Sequence, residues 1–297
     1  MSASAADLNR ERVPALGVTG PRFVSHAQNQ EDVILHRVLR DVSSGFYVDV
    51  GAQEPDVDSV TRSFYEAGWR GLNLEPDVQA FGRLAAARTR DVNICAAAGE
   101  RPGRRPFFDI PGTGLSTLDV ATAHAHRARG LVVLEREVEV VTLADVCAAH
   151  APPVIHFLKI DVEGAERDVL AGCDFGRFRP WVVVVEATRP MQPDAAHLEW
   201  DALLTGEGYS FRYFDGLNRF YLAAEKGDLS ERLGPPPNTF DGWVPASTVR
   251  VESQLAALER EVAYLRGSLS WRLTEPLRRV RAAAGRIRER IRARTRP

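Results

Sequence analysis

Residues 46–59 read FYVDVGAQEPDVDS, a short apolar run that leads into a loop. The run is typical of a strand buried on both faces, and the loop starts at its carboxyl end. Dinucleotide-binding loops at this position have the pattern G-x-G-x-x-G, but this loop has Gly51 followed by Gln53 and Asp56. The stretch therefore predicts a binding loop whose ligand is not a pyrophosphate.

The rest of the chain repeats this strand pattern and places helices between the strands. Further β-rich runs follow at residues 71–76, 92–99, 155–164 and 181–187. Helical patterns lie between most of them, at 58–68, 77–88, 164–172 and 194–207. Such alternation predicts right-handed βαβ units and a parallel sheet covered on both sides. Residues 209–223, YSFRYFDGLNRFYLA, predict an antiparallel hairpin, so we expect an α/β fold whose mostly parallel sheet ends in that hairpin.

Composition and charge exclude several classes of protein. No apolar run approaches the roughly 20 residues of a membrane span, and the first residues lack the basic start and apolar stretch of a signal peptide. The three cysteines form no CxxC pair, so we expect a reducing, cytoplasmic location. The net charge of −2 combines ten arginines after residue 271 with an acidic body of about −10. An acidic body argues against a nucleic-acid groove in the main domain.

Acidic residues follow the predicted parallel strands at the end where ligands bind in open α/β sheets. They are Asp49, Glu75, Asp161, Glu163 and Glu186. An acid at the end of the second strand suits the ribose hydroxyls of an adenosine ligand. A crowd of carboxylates repels phosphates but tolerates a cationic sulfonium. The pattern therefore predicts S-adenosylmethionine as the cofactor.

Three segments resemble the FkbM-type S-adenosylmethionine-dependent methyltransferases. They are FVSHAQNQEDVILHRVL (23–39), FYVDVGAQEPDVDSVTRSFYEAGWRGLNLEP (46–76) and FLKIDVEGAERDVLAG (157–172). The resemblance extends over about residues 22–225 and implies a class I methyltransferase-like (Rossmann-like) fold. It also implies methyl transfer to oxygen, often on sugars or on polyketide and other natural-product scaffolds. A small-molecule or glycan acceptor, and a place in bacterial polysaccharide biosynthesis, are the corresponding expectations.

The resemblance also implies roles for individual residues. The cofactor-binding positions are Asp49, Gly51, Ala52, Gln53, Glu75 and Asp161. For the base that removes the acceptor proton we rank Asp161 first, followed by Glu163 and His26. Two positions depart from the family pattern, because many members have glycine at Pro55 and a tyrosine is common at His26.

Simpler interpretations of the same residues stay open at this point. Asp161 or Glu163 could cap the helix that begins near Gly164, and His26 suits a hydrogen-bonded residue at the pocket edge. A divalent cation on Asp161 with Glu163 or Glu186 is chemically compatible with oxygen ligands. The spacing does not support one, so we assign no metal ligand. Lys159, between the apolar residues of its strand, predicts a buried cation that holds a neighbouring acid.

The predicted domain organisation has four parts. They are a flexible N-terminus (1–21), a methyltransferase-like domain (22–232), a proline-rich linker (233–248) and a helical tail (249–297). Residues 100–150 interrupt the βα rhythm and predict a hairpin and small helices inserted between the third and fourth parallel strands. Such an insertion is either the substrate side of the site or an ordinary surface excursion.

The helical tail has two distinct patterns. Apolar residues recur with 4-3-4-3-4 spacing at Val251, Leu255, Leu258, Val262, Leu265 and Leu269. This spacing predicts either self-association through a coiled coil over 251–269 or an amphipathic helix packed on the main domain. Residues 272–297 form a basic amphipathic pattern that suits peripheral contact with the inner face of an anionic membrane, or else a solvated tail.

Two other functions compete with the methyltransferase. One is a catalytically silent methyltransferase-fold scaffold in a glycan-assembly complex, for which Pro55 is the main support. The other is a dinucleotide-dependent sugar-modifying enzyme, which the missing second and third glycines disfavour.

Overall fold

The computed structural model describes residues 22–188, 196–278 and 281. The chain forms two compact units, residues 1–244 and 245–297. The predicted flexible N-terminus, and residues 279–280 and 282–297 of the predicted basic tail, lie outside the described residues.

Strands and helices alternate along the first unit. The strands are β1 (Phe23–Ser25), β2 (Phe46–Val50), β3 (Arg70–Leu74), β4 (Val92–Ile94), β5 (Ala97–Ala98), β6 (Gly103–Asp109), β7 (Leu134–Val141), β8 (Phe157–Ile160), β9 (Val182–Glu186), β10 (Tyr209–Phe214), β11 (Asn218–Ala223) and β12 (Trp243–Pro245). The α-helices are α1 (Glu31–Val38), α2 (Arg62–Glu66), α3 (Val78–Ala87), α4 (Val120–Ala128), α5 (Leu143–His150), α6 (Glu166–Ala171) and α7 (Asp201–Gly206), and 3₁₀ turns cover His197–Glu199, Ala224–Arg232 and Thr239–Asp241.

A seven-stranded sheet organises the first unit, with strand order β10-β11-β9-β8-β2-β3-β4. β9, β8, β2, β3 and β4 are parallel, whereas β11 pairs antiparallel with β9 and β10 pairs antiparallel with β11. The predictions of a mostly parallel sheet and of a terminal hairpin are confirmed. The strand order reverses between β2 and β8, and the parallel strands β2, β3 and β8 place their carboxyl ends at one edge, where a crevice opens.

The core lies on both faces of this sheet. Val183 and Val185 pack into one apolar cluster, while Val182 and Val184 pack into another on the opposite face. All four side chains are fully buried. Burial on both faces explains why β9 is a continuous apolar run rather than an alternating one.

The predicted insertion forms a second, three-stranded sheet in the order β5-β7-β6. β6 and β7 make an antiparallel pair, and α4 lies between them in the chain. The insertion predicted over 100–150 thus contains an antiparallel strand pair and the small helices α4 and α5, but its two strands are joined through α4 rather than by a tight turn.

Some helix boundaries differ from the sequence prediction. The helix expected over 58–68 is only α2, Arg62–Glu66, because Asp58 has a positive φ of 53° that is incompatible with a helix. The helix expected over 194–207 is a 3₁₀ turn followed by α7.

The compact first unit includes much of the proline-rich stretch. Leu233 is fully buried, and the Arg37 guanidinium pairs with Asp241 at 3.1 Å. These contacts place residues 233–244, which were predicted to belong to the linker, within the first unit.

The second unit contains α8 (Ala246–Gly267) and α9 (Leu269–Leu273). The apolar residues of the 4-3 pattern lie exposed on these helices, with fractions of 43% at Val262 to 75% at Leu269. In the part of the chain that the structure describes, no helix is both long and apolar enough to span a bilayer.

Candidate functional site

A cavity of about 590 Å³ opens beyond the carboxyl ends of β2, β3 and β8. Its wall includes the loop after β2, Glu75 after β3, and Asp161 and Glu163 after β8. The inserted sheet supplies the facing wall, with Phe107 and residues 109–116. The cavity therefore lies where open α/β sheets bind ligands, and the insertion belongs to its wall rather than to a remote surface.

The loop after β2 is fixed by a close backbone approach at Gly51. Gly51 has a φ of 75°, and a Cβ at this position would lie 1.9 Å from the backbone oxygen of Asp161. The amides of Gly51 and Ala52 both donate to the Leu74 oxygen, at 3.0 and 3.2 Å. Only glycine fits this position, so the single glycine of the loop is explained by packing between β2, β3 and β8.

Glu75 is held at the cavity wall by two backbone amides. Its Oε2 accepts from the Gln53 amide at 2.9 Å, and its Oε1 accepts from the Asp77 amide at 2.7 Å. The side chain is 6% exposed, and burial raises the pKa of this carboxyl group to about 7 despite the amide hydrogen bonds. Each oxygen keeps a second lone pair, so Glu75 is fixed and can still accept hydrogen bonds from a ligand hydroxyl.

Pro55 does not face the cavity, and a buried arginine holds its backbone. It is buried, and its backbone oxygen accepts from Arg88 Nη2 at 2.7 Å. The fully buried Arg88 also donates to Ser59 Oγ at 2.9 Å and to the Thr61 oxygen at 3.3 Å. Sequence reasoning missed Arg88 because a lone arginine at a helix end is usually a solvated surface residue.

Lys159 joins the ends of β8 and β2. Its Nζ lies 3.1 Å from Asp161 Oδ2 and 3.8 Å from Asp49 Oδ1. Burial by itself would lower the pKa of Lys159, but the charges of Asp161 and Asp49 outweigh burial and raise it. Asp49 is fully buried and also accepts from Thr61 Oγ1 at 2.9 Å. The predicted pairing of Lys159 with an acid is confirmed, and Asp49 lies behind the cavity wall, where it positions Lys159 and Thr61.

Asp161, Glu163 and Glu186 converge at the ends of β8 and β9. One carboxylate oxygen from each lies within 4.8 Å of the other two. Burial, and then the charge of Asp161, raise the pKa of both Glu163 and Glu186. Oxygen atoms at this separation can share a proton or hold a hard cation.

The helix-capping interpretation of Asp161 and Glu163 is wrong. Helix α6 begins at Glu166 after Ala165, which makes no side-chain cap. Instead Glu166 Oε1 accepts from the amides of Val162 and Gly164, at 3.2 and 3.0 Å. The two predicted carboxylates are thereby left for the cavity.

The structure does not bring His26 to these carboxylates. The His26 ring lies 3.1 Å from the backbone oxygen of Asp56, through Nδ1, and His26 is not part of the cavity wall. The His26 oxygen also accepts from the Ser59 amide at 3.1 Å. These contacts hold the loop after β2, which agrees with a residue at the pocket edge and not with a base at the reacting centre.

Glu31, the first residue of α1, also lines the cavity. It is 5% exposed and accepts from Asn218 Nδ2 at 2.8 Å, and burial raises its pKa to about 7. The Asn29 amide donates to the second oxygen at 2.9 Å. Asn218 comes from the terminal hairpin, and this long-range contact had no local signal in the sequence.

The inserted wall offers hydroxyl and carboxylate groups. Ser116 Oγ donates to Asp109 Oδ1 at 3.1 Å, and both residues line the cavity. A Cβ on Gly114 would lie 2.4 Å from Gln53 Nε2, so this loop contacts the Gln53 side chain closely. The site is therefore enclosed by the β-strand ends on one side and by the insertion on the other.

Comparison of the sequence with known proteins gives one match, to a family model. No curated protein matches the chain. The family model described as the methyltransferase FkbM domain matches residues 49–211, which run from the buried Asp49 to the hairpin strand β10 and include Glu75, Asp161 and Glu163 of the cavity wall. Because that match covers more than half of the 297 residues, the chain belongs to the FkbM methyltransferase family.

Proposed function

We propose that the protein is an S-adenosylmethionine-dependent O-methyltransferase with a class I methyltransferase-like fold. Its acceptor is a hydroxyl group on a sugar, a polysaccharide or a natural-product scaffold. The family, the mostly parallel sheet and the terminal hairpin support the class of enzyme. The observation that carries the cofactor is the amide-anchored Glu75 carboxylate at the cavity wall beside Gly51.

The residues of the cavity fit this cofactor. Glu75 presents two oriented acceptors for the ribose hydroxyls, and Gly51 lets the loop after β2 pass close to the backbone of Asp161. The acidic wall suits a sulfonium cation and disfavours phosphates. Gln53 lies beside Glu75 and has an amide side chain for the polar end of the cofactor. When bound, S-adenosylmethionine supplies an activated methyl group on a positively charged sulfur.

Asp161 is the base that we propose for the acceptor hydroxyl. It lines the cavity, and its contact with Lys159 Nζ at 3.1 Å fixes the side chain in place. Burial and the charge of Asp161 raise the pKa of the neighbouring Glu163 to about 8, so at neutral pH this carboxyl group is mostly protonated and cannot take the proton of the acceptor. Catalysis then consists of positioning the acceptor oxygen and taking its proton during an in-line displacement.

The inserted wall supports a polyhydroxylated acceptor. Asp109, Thr113 and Ser116 line the cavity and can exchange hydrogen bonds with hydroxyl groups. Phe107 gives the same wall an apolar face. Alternating polar and apolar groups of this kind suit a sugar ring or an oxygenated scaffold.

The experiment is mass spectrometry of candidate glycans incubated with the protein and S-adenosylmethionine. The wild type should raise the mass of the acceptor by one CH₂ unit, because a methyl group replaces a hydroxyl hydrogen. Asp161→Asn should form much less of this product, and Glu137→Gln, at an exposed residue, should form as much as the wild type. Equal product from the wild type and Asp161→Asn would show that Asp161 is not the base.

The scaffold alternative rested on Pro55. Pro55 is buried and held by Arg88, and it does not belong to the cavity wall. Its presence therefore gives no support to a blocked site. Binding of neither S-adenosylmethionine nor S-adenosylhomocysteine would be the result that favours a scaffold.

We also propose a cytoplasmic location with peripheral membrane contact through residues 272–297. The ten arginines of this segment support the proposal, since each can add about 1 kcal/mol of attraction to an anionic surface. Vesicles containing phosphatidylglycerol should retain the full chain and release a version that lacks 272–297. Equal retention of both chains would contradict the proposal.

A further inference from the structure

Asp161, Glu163 and Glu186 form an acidic cluster at the ends of β8 and β9, and the proposed role of Asp161 as a base does not explain why all three converge. Three separate backbone positions bring Asp161, Glu163 and Glu186 together, with one oxygen of each inside 4.8 Å. Glu163 adopts a φ of 56°, and its backbone oxygen accepts from Thr117 Oγ1 at 2.8 Å. The insertion therefore holds Glu163 in an uncommon backbone conformation that keeps its side chain at the cluster.

Two buried acceptor atoms of this cluster have no donor among the described residues. They are Glu186 Oε2 and Glu163 Oε2. Glu186 is 7% exposed, so its carboxyl group is removed from bulk water. Leaving such an acceptor without a partner costs about 1–3 kcal/mol, and more when the group is charged. Lys159 makes its ion pairs with Asp161 and Asp49, and no ion pair to either glutamate is formed within the described part of the chain.

We propose that Asp161, Glu163 and Glu186 form a binding site for one divalent cation. The donor set consists of carboxylate oxygens, which suits a hard cation such as Mg²⁺ or Mn²⁺ rather than a metal that prefers sulfur or imidazole. Binding would give the unpaired oxygens of both glutamates a partner and would neutralise the carboxylates that converge there.

The position of the site suggests a role for the cation in methyl transfer, and this role rests on the proposed function. Asp161 and Glu163 line the cavity, whereas Glu186 does not belong to the cavity wall. Coordination positions left open by the protein would therefore face the cavity. A cation there would draw an acceptor oxygen to the cluster and lower the pKa of its hydroxyl, so Asp161 would need less basicity to take the proton.

The test is a titration of Mn²⁺ into the full-length protein after treatment with a chelator, followed by electron paramagnetic resonance of free Mn²⁺. The wild type should remove one equivalent of Mn²⁺ from solution. If the signal of free Mn²⁺ does not fall when Mn²⁺ and protein are each present at about 1 mM, the proposal is overturned, since functional oxygen-ligand sites bind at or below that concentration.

Variants then locate the site. Glu186→Gln should weaken Mn²⁺ binding at least about tenfold. Glu75→Gln is the matched control, because Glu75 is equally buried in the same region and should leave Mn²⁺ binding unchanged. Thermal unfolding checks that each variant is folded, and Glu163→Gln takes the place of Glu186→Gln if that variant is not. Wild-type Mn²⁺ affinity in a folded Glu186→Gln or Glu163→Gln variant would also overturn the proposal.

Binding of Mn²⁺ is measured without the methyl donor, so the cation site and the methyltransferase proposal can fail separately. Binding of S-adenosylhomocysteine without binding of Mn²⁺ would refute the cation site and leave the methyltransferase proposal intact. Binding of Mn²⁺ without the nucleoside would support the cation site and count against the methyltransferase.

Discussion

The Lys159 ammonium group lies 3.1 Å from the Asp161 carboxylate, in a position where only 9% of the lysine side chain is exposed. The same ammonium group approaches Asp49 at 3.8 Å, so one buried cation fixes Asp161, which follows β8, and Asp49, which lies within β2. This arrangement links the stability of the sheet to the geometry of the site.

Removal of Lys159 should therefore be strongly destabilising. Lys159→Met leaves the buried Asp49 without its ion pair, which should lower the free energy of unfolding by about 3 kcal/mol or more. Urea denaturation measures the change. The exposed pair of Arg104 with Glu137 is the control, and Glu137→Gln should change stability by less than about 0.5 kcal/mol. Equal stabilities for the two variants would contradict a buried ion pair.

Gly51 and Gly82 should respond in opposite ways to alanine. A Cβ at Gly51 meets the Asp161 oxygen at 1.9 Å and adds a side chain at positive φ, so Gly51→Ala should destabilise the protein by at least about 2 kcal/mol. Gly82 lies inside α3 with nothing within 4 Å, so Gly82→Ala should stabilise it by about 0.5–1 kcal/mol. Chemical denaturation of both variants checks the pair, and a tolerated alanine at Gly51 would refute the close approach.

Glu75 should make stability depend on pH. Its folded pKa of about 7 lies above the ordinary 4.5, so the folded state favours the protonated form. The resulting stabilisation is present below pH 4.5 and is lost as the pH rises through 7. The stability of the wild type relative to Glu75→Gln should therefore fall by up to about 3 kcal/mol between pH 4.5 and 8. A difference that stays constant over this range would show that Glu75 does not titrate this way.

The exposed 4-3 pattern of α8 should mediate self-association. We propose a coiled coil through the part of the predicted 251–269 pattern that lies on α8, from Val251 to Leu265, because α8 ends at Gly267 and Leu269 belongs to α9. Leu258 lies in the apolar seam of this pattern and Ala257 lies outside it. Sedimentation equilibrium should show that Leu258→Lys dissociates the assembly, whereas Ala257→Lys keeps it. A monomeric wild type would refute the proposal.

Local patterns were enough to predict the sheet and much of the acidic edge. Continuous apolar runs predicted the buried parallel strands, and acids at the strand ends predicted Glu75, Asp161 and Glu163 at the cavity. Both signals depend on residues close in sequence.

The remaining parts of the site depend on contacts between distant segments. Arg88 reaches back to Pro55, and Asn218 reaches Glu31 from the terminal hairpin. Neither contact has a sequence pattern. His26 was assigned from its neighbours in the chain, but its ring contacts the backbone of Asp56 rather than the carboxylates. Asp58 was expected near a helix start, whereas its positive φ delays the helix to Arg62.

Isothermal titration of the wild type and Glu75→Gln with S-adenosylhomocysteine tests the central claim most directly. At pH 8, where Glu75 with its pKa of about 7 is mostly ionised, the wild type should bind one equivalent. Glu75→Gln should bind at least about tenfold more weakly, because hydrogen bonds to a charged acceptor contribute about 1.5–3 kcal/mol. Glu137→Gln should bind like the wild type. No binding to the wild type, or equal affinity in Glu75→Gln, would contradict the assignment of this cavity to the methyl donor.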